Sequence, residues 1–301
     1  MKERALLEDA LKHAFECEYQ KRPATADSLA GALSLSREQA ASLVARIQTG
    51  GWAALKEGGI HLTEEGRVYA LRVVRAHRLY ETQLAQETGV EETAWHQRAE
   101  LAEHAMTQAE VDNLAARLGH PRYDPHGDPI PTRSGEMPPP RGKSLLEQPE
   151  GWQGRIIHIE DEPEKIYSQI AALGLAPNMI AQIIKTDEAS LHVLVDGLEI
   201  KLSRQMAANI YAVALKHGEA ADHAVCRLSS LLQGEQAVVV GLSPACRGAE
   251  RNRLLDLGIV PGSAIEMDLK SAFGEPVAYR VRGAAIALRK NQANHVLIKK
   301  Q

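Results

Sequence analysis

The stretch Trp95–His104, WHQRAELAEH, decides how this chain is interpreted, because it places His96, Glu100, Glu103 and His104 at helical spacing. At about 100° per residue, the four positions fall within about a third of the circumference of a helix. We therefore expect two imidazoles and two carboxylates to share one helix face.

A second pair with the same spacing, His77 and Glu81, lies one predicted helix earlier. Imidazole nitrogen combined with carboxylate oxygen suits Mn(II), Fe(II) or Zn(II) better than Ca(II) or Mg(II) alone. The pattern thus favours a metal site over the alternative of an ordinary solvated helix face. A metal hydrolase is a further alternative, but its helical signatures need histidine where this chain has Glu100 or Glu103.

Composition indicates a chain of several domains that stays out of the membrane. Its 301 residues are 44% hydrophobic, which is enough for two or more cores. No run approaches the roughly 18 apolar residues of a membrane span. Three widely spaced cysteines without a C-x-x-C motif indicate free thiols in a reducing compartment, so a cytoplasmic location is expected.

Charge is unevenly distributed behind the formal value of −4. Residues 76–225 carry 13 basic and 23 acidic side chains, whereas residues 226–301 carry 11 and 6. The acidic excess lies in the segment with the candidate ligands, as a cation site requires, although acidic surface is also common in proteins without one.

The first 65 residues show the order of a winged helix-turn-helix, with three short amphipathic helices followed by a two-stranded hairpin. The third helix, from Ser36 to Thr49, begins with a capping-box pattern and would enter the major groove of DNA. The residues expected to contact bases or phosphate are Ser36, Arg37, Gln39 and Ser42. The alternative is a winged helix used only for packing or dimerisation.

The remainder of the chain divides into a helical part, a linker and an internal repeat. The repeat pairs Ile170–Asn178 with Leu254–Gly262, and each copy continues into alternating strands with a glycine-centred hairpin. Such a copy predicts a small, strongly bent β-barrel. The fold class expected is multidomain α+β. The predicted domains are a winged helix-turn-helix at 1–65, a helical metal-binding and dimerisation domain at 66–124, a Pro/Gly-rich linker at 125–149, and barrels at 150–217 and 226–301.

These motifs resemble a known family. Residues 1–145 resemble metal-dependent repressors of the diphtheria toxin repressor class, in the blocks Leu62–Gly66, Ala76–Glu81, His96–His104 and Gly119–Pro131. Residues 150–301 resemble two FeoA-like domains of the Src-homology-3-like barrel type, most closely in Arg253–Gly262 and Val281–Gly283.

The resemblance implies a homodimer that closes onto operator DNA when two metal sites fill. Its primary site would be Asp9, Glu100, Glu103 and His104. Its ancillary site would be His77, Glu81 and His96, completed by a carboxylate of the first barrel, for which Glu162 is the choice. Iron-selective members carry a cysteine and a methionine at the positions of Glu100 and Asp9. The carboxylates here resemble manganese-sensing members, and hard oxygen ligands fit Mn(II).

The chain departs from the family pattern at several positions. Lys12 stands where some manganese-sensing members have a second N-terminal carboxylate, Asp128 stands where an asparagine is usual, and Glu38 lies near the start of the third helix. Two barrels replace the usual one or none.

The function predicted is a cytoplasmic, dimeric transcriptional regulator activated by Mn(II) or Fe(II), acting as a repressor of metal-uptake genes without catalysis. Its expected partners are double-stranded operator DNA, a second copy of the chain and a possible protein partner for the barrels. The alternative is a protein-interaction adaptor of ferrous-iron transport that keeps a vestigial winged helix.

Overall fold

The structure, a computed structural model, describes residues 2–216, 222, 224–270 and 274–301. The chain forms two compact units. One comprises Met1–Leu84, Ala94–Asp124 and Asp128–Pro140, and the other comprises Ala85–Thr93, Pro125–Gly127 and Arg141–Gln301. Helices dominate the first and antiparallel sheets the second, which agrees with the predicted α+β class. His217, the predicted end of the first barrel, lies outside the described residues.

The first unit begins with three helices and a hairpin. They are α1 (Lys2–Tyr19), α2 (Ala26–Ala32), α3 (Arg37–Thr49), β1 (Ala53–Lys56) and β2 (Gly59–Leu62). Capping boxes at Thr25 and Ser36 start α2 and α3, as the sequence pattern predicts for α3. The core between these elements includes the fully buried Leu11, Leu29 and Ile47.

Three more helices complete the first unit, and the longest continues beyond it. They are α4 (Glu64–Glu87), α5 (Trp95–Glu103) and α6 (Gln108–Arg117). A short 3-10 turn at Glu92–Ala94 precedes α5, and only its last residue belongs to the first unit. The apolar stripe of α6 packs on α4, so Leu79 meets Val111 and Leu114 in a separate small core.

Part of the segment predicted as a linker packs into the first unit instead. Ile130 is 5% exposed and belongs to the small core of α4 and α6. Two arginines of α4 hold the adjoining backbone, since Arg78 donates to the carbonyl of Pro129 (2.7 Å) and Arg75 to that of Pro131 (2.8 Å). The two proline carbonyls thus accept charged hydrogen bonds from buried guanidinium groups.

The second unit contains two six-stranded antiparallel sheets built on the same plan. The first sheet comprises β3 (Lys143–Ser144), β4 (Gln153–Ile159), β5 (Ile180–Thr186), β6 (Ser190–Val195), β7 (Leu198–Ser203) and β8 (Ile210–Ala214), with α7 (Glu164–Ala172) and α8 (Arg204–Ala208). The second comprises β9 (Val225–Arg227), β10 (Gln236–Leu242), β11 (Ala264–Lys270), β12 (Val277–Val281), β13 (Ala284–Leu288) and β14 (Val296–Lys300), with α9 (Gly248–Asp256) and α10 (Lys290–Asn294).

Strand order matches between the two sheets. The first runs β3-β8-β4-β5-β6-β7 and the second β9-β14-β10-β11-β12-β13, so the internal repeat expected from the sequence is present in the structure. The turn of the β6–β7 hairpin, Asp196-Gly197, and the turn of the β12–β13 hairpin, Arg282-Gly283, each have positive φ at both residues. This is the backbone that a two-residue turn needs between strongly twisted strands.

Among the described residues, no helix combines the length and the apolar character needed to cross a bilayer.

Candidate metal centre

Three residues from two helices form the first group of candidate ligands. Asp9 projects from α1, Glu103 ends α5, and His104 is the residue that caps α5. The Nε2 atom of His104 lies 3.0 Å from Oδ1 of Asp9 and 3.7 Å from Oε1 of Glu103. One donor atom from each residue lies within 4.8 Å of the others, close enough for a single cation to contact all three.

His77 and Glu81 of α4 form the second group together with His96 of α5. Oε1 of Glu81 lies 3.2 Å from Nε2 of His77 and 3.6 Å from Nδ1 of His96. His77 and Glu81 are buried, at 4% and 1% exposure, whereas the side chain of His96 is 29% exposed.

Glu103 connects the two groups. Its Oε1 faces His104, whereas its Oε2 makes a close contact with Nδ1 of His77. Both groups therefore contact the same carboxylate. An ion bound in one group changes the electrostatic potential at the other.

Glu100, which the resemblance assigns to the primary site, faces His96 in this structure, and its role as a ligand stays a prediction. It is absent from the three-residue group of Asp9, Glu103 and His104, and its Oε1 lies 3.4 Å from Nε2 of His96, one helical turn away. The hydrogen bond with His96 outweighs burial and lowers the pKa of Glu100, which keeps the half-exposed carboxylate ionised. The structure thus associates Glu100 with the second group.

Glu8 is a neighbour of His104 that the sequence analysis did not identify. Its side chain is 1% exposed, and its Oε2 lies 2.7 Å from Nδ1 of His104, while its Oε1 accepts hydrogen bonds from Tyr69 (2.7 Å) and Arg4 (2.8 Å). Burial alone would raise the pKa of Glu8, but these hydrogen bonds, led by that from His104, lower it to about 2. For His104, burial would lower the pKa, and the bonds to Asp9 and Glu8 instead raise it to about 9.

Lys12 lies between the two groups. Its Nζ is 3.1 Å from Nδ1 of His77 and 3.2 Å from Oε2 of Glu103, and its side chain is 12% exposed. Burial alone would lower the pKa of Lys12, but the negative charges of Glu103, Glu16 and Glu100 raise it, so the group is an ammonium ion.

Glu162, the carboxylate chosen to complete the ancillary site, belongs to the second unit and precedes Pro163 at the start of α7. Its role as a ligand stays a prediction. In the same unit, His126 lies in a turn and is 2% exposed, with Nδ1 3.8 Å from Oδ2 of Asp161 and its ring against that of Tyr167.

The four residues expected to contact DNA are exposed at the N-terminal half of α3. Ser36 and Gln39 form the capping box, in which the Ser36 hydroxyl accepts from the amide of Gln39 and the Gln39 side chain accepts from the amide of Ser36. Arg37 extends into solvent beside Asp27, at 3.1 Å, and Ser42 lies one turn further along. Their role in DNA binding stays a prediction.

The donor chemistry of both groups fits a divalent transition ion. Each offers imidazole nitrogen together with carboxylate oxygen, a set suited to Mn(II), Fe(II) or Zn(II). The residues that would hold the ion are Asp9, Glu103 and His104 in the first group and His77, Glu81 and His96 in the second.

Comparison with known proteins gives matches to two families. The family described as iron dependent repressor, metal binding and dimerisation domain matches residues 63–132, and the family described as FeoA domain matches residues 143–214 and 226–300. The first match takes in Ile130, the packed part of the predicted linker, and the predicted domain limits stay a prediction.

Curated relatives and solved structures agree with these matches. The iron-dependent repressor IdeR of Mycobacterium tuberculosis (strain ATCC 25618 / H37Rv) is 28% identical over 162 residues, which cover 49% of this chain and 70% of the relative. A solved manganese-dependent transcriptional repressor in complex with manganese is 29% identical with a TM-score of 0.65, and the match covers 69% of this chain and all of that one.

A second kind of relative matches over a shorter region. A probable metal transport system membrane protein of Chlamydia trachomatis is 38% identical over 73 residues, which are 24% of this chain and 16% of that protein. The chain therefore spans only a small part of that relative. Taken together, the matches identify a metal-binding and dimerisation domain of the iron-dependent repressor family at residues 63–132 and two FeoA domains at residues 143–214 and 226–300, in a chain similar to iron- and manganese-dependent repressors.

Proposed function

We propose that this protein is a transcriptional repressor of metal-uptake genes that Mn(II) or Fe(II) activates for DNA binding. The observation that carries the proposal is the first ligand group, in which Asp9 of α1 meets Glu103 and His104 at the end of α5. An ion in this group ties the helix that opens the N-terminal three-helix segment to the helical part that matches the dimerisation family.

A metal ion that links α1 to α5 would act as a switch by changing the populations of two arrangements of the protein. Metal can favour a DNA-competent arrangement only if it binds that arrangement more tightly than the others, and ligands on two helices supply the difference. Helices α1–α3 and the β1–β2 hairpin would serve as the winged helix-turn-helix, with α3 in the major groove and Ser36, Arg37, Gln39 and Ser42 at the DNA. The relatives named for iron- or manganese-dependent repression support this role.

The rest of the assembly follows from the family. We propose a homodimer, so that two copies of α3 address successive half-sites. The domain limits stay those predicted, with two barrels of the Src-homology-3-like type that serve as regulatory or protein-binding modules. The function is binding rather than catalysis, and its place is the cytoplasm, where free thiols such as that of Cys226 stay reduced. The adaptor alternative receives less support, because the match to a repressor structure covers that whole protein.

A mobility-shift titration with the protein's own upstream DNA tests the proposal. Mn(II) or Fe(II) should raise specific affinity at least about tenfold over protein treated with a chelator, and the variant Glu103→Gln, nearly the same in shape, should lose the response. Equal DNA affinity with metal and with chelator would refute the switch.

A further inference from the structure

The position of Lys12 is unusual for a lysine beside a candidate metal centre. Its ammonium contacts one residue of each ligand group, His77 at 3.1 Å and Glu103 at 3.2 and 3.5 Å. The side chain is nearly buried, on the same helix as Asp9, so it is a fixed cation among the donor atoms rather than a mobile surface charge.

Lys12 lies closer to some of the candidate donor atoms than to others. The ammonium lies nearer to Oε2 of Glu103 than to Oε1, and it reaches Nδ1 of His77 in the second group. Oε1 of Glu103 remains on the side of His104 and Asp9. The first group can therefore receive an ion while Lys12 stays in place, whereas the second group already has a positive charge at its edge.

We propose that Lys12 is a built-in cation that takes the place of a second metal ion, so that each protomer binds one divalent ion, in the group of Asp9, Glu103 and His104. This inference rests on the proposed metal activation and departs from the two-ion site that the resemblance implies. Two divalent ions would have to share Glu103 with the ammonium. The ammonium carries one positive charge and the second ion two, and their repulsion a few ångströms apart inside a protein weakens binding of the second ion by at least about a hundredfold.

The stoichiometry of Mn(II) binding to the full chain provides the test. The unaltered protein and the variants Lys12→Met and Lys12→Gln are dialysed against Mn(II), and bound manganese is counted by elemental mass spectrometry. Methionine matches the length of lysine without its charge, and glutamine keeps a donor beside Glu103 and His77 in case the apolar variant does not fold. Arg46→Met is the matched control, because it removes a positive charge from an exposed side chain (42%) whose ionic contact, with Glu3 at 3.9 Å, lies outside both ligand groups.

One ion per protomer is expected for the unaltered protein and for Arg46→Met, and two for a folded Lys12 variant, with the second ion binding at least about a hundredfold more tightly than in the unaltered protein. Electron paramagnetic resonance should then show two spin-coupled Mn(II) ions in the variant. Two ions in the unaltered protein, or one ion in both folded Lys12 variants, would overturn the inference and leave metal activation intact. No bound ion in the unaltered protein would overturn the proposed function, and this inference with it.

Discussion

The Oε2 atom of Glu8 lies 2.7 Å from Nδ1 of His104, and Nε2 of the same ring faces Asp9 and Glu103. A carboxylate on one ring nitrogen fixes the orientation of the imidazole and directs the other nitrogen towards a metal, an arrangement that recurs in metal sites. Tyr69 and Arg4 hold Glu8 in turn. Glu8 is therefore a positioning residue for the first ligand group.

Replacement of this carboxylate should weaken metal binding without removing a ligand. We expect Glu8→Gln to lower the affinity for Mn(II) about tenfold to a hundredfold, since the amide holds the ring of His104 less firmly and lowers its basicity as a ligand. Calorimetric titration measures the affinity. Glu3→Gln is the control on the same helix, because the Glu3 side chain is 88% exposed. Equal affinities of the two variants would contradict the positioning role.

The exposed start of α3 allows a paired test of the DNA contact. Arg37 and Glu38 are adjacent, both exposed, and opposite in charge. We expect Arg37→Ala to weaken DNA binding and to reduce the slope of log affinity against log salt by about one, as the loss of one phosphate contact requires. Glu38→Gln should strengthen DNA binding, because a carboxylate near phosphate is repelled.

Mobility shifts at several salt concentrations check both changes, and Mn(II) affinity should be the same in each variant. If both variants bind DNA as the unaltered protein does, α3 is not the DNA-contacting helix.

Helical spacing predicted much of the candidate centre but could not assign each ligand. His96, Glu100 and Glu103 do lie on α5 as the pattern requires. Glu100 nevertheless faces His96, because residues four apart on a helix are direct neighbours, and this local contact is available whatever the tertiary structure. His104 follows the last helical residue and turns to α1, and that approach depends on how two distant helices pack.

Glu8 illustrates the same limit. Glu8 and Asp9 are adjacent carboxylates on α1, and only the packing of α1 against α4 and α5 determines that Glu8 meets the Nδ1 side of His104 and Asp9 the Nε2 side. The spacing of Glu8, Lys12 and Glu16 along one helix face was the signal that could have drawn attention to it.

Composition misled at the proline-rich segment. Proline and glycine predicted an extended linker, yet Ile130 is buried there. The reason lies in α4, whose Arg75 and Arg78 bind the carbonyls of Pro131 and Pro129. Hydrogen bonds to backbone carbonyls leave no trace in the composition of the segment that accepts them.

Arg227 is a buried cation that contacts both FeoA domains and should stabilise the second unit. Arg227 of β9 donates to the carbonyls of Asp196 (3.1 Å) and Asn294 (2.6 Å), and its guanidinium lies 3.9 Å from the Asp196 carboxylate. We expect Arg227→Met to destabilise this unit by about 3 kcal/mol, because it leaves the Asp196 carboxylate, only 13% exposed, without this cation. Burial already raises the pKa of Asp196, in the direction expected of a carboxylate with little access to water.

Thermal unfolding followed by the circular dichroism of the sheets measures this effect as a shift of several degrees. Arg280→Met is the matched control in the second FeoA domain, since the Arg280–Asp268 pair is largely exposed and should contribute less than about 1 kcal/mol. Similar melting temperatures for the two variants would show that the Arg227 contacts contribute little.

Cysteine reactivity should distinguish the three thiols. Burial, with a smaller contribution from the charge of Glu250, raises the pKa of Cys246 to about 12, and burial also raises the pKa of Cys17. The thiolate is the nucleophile, and at pH 8 both thiols stay protonated. They are also shielded from solvent, at 1% and 4% exposure.

Cys226 is partly exposed and should react first with iodoacetamide, which peptide mass spectrometry after timed labelling would show. Labelling of Cys246 should accelerate as the pH is raised from 7 to 9, because each unit increases its small thiolate fraction about tenfold. Rapid labelling of Cys246 at pH 7 would mean that the core of the second FeoA domain opens far more readily than its packing indicates.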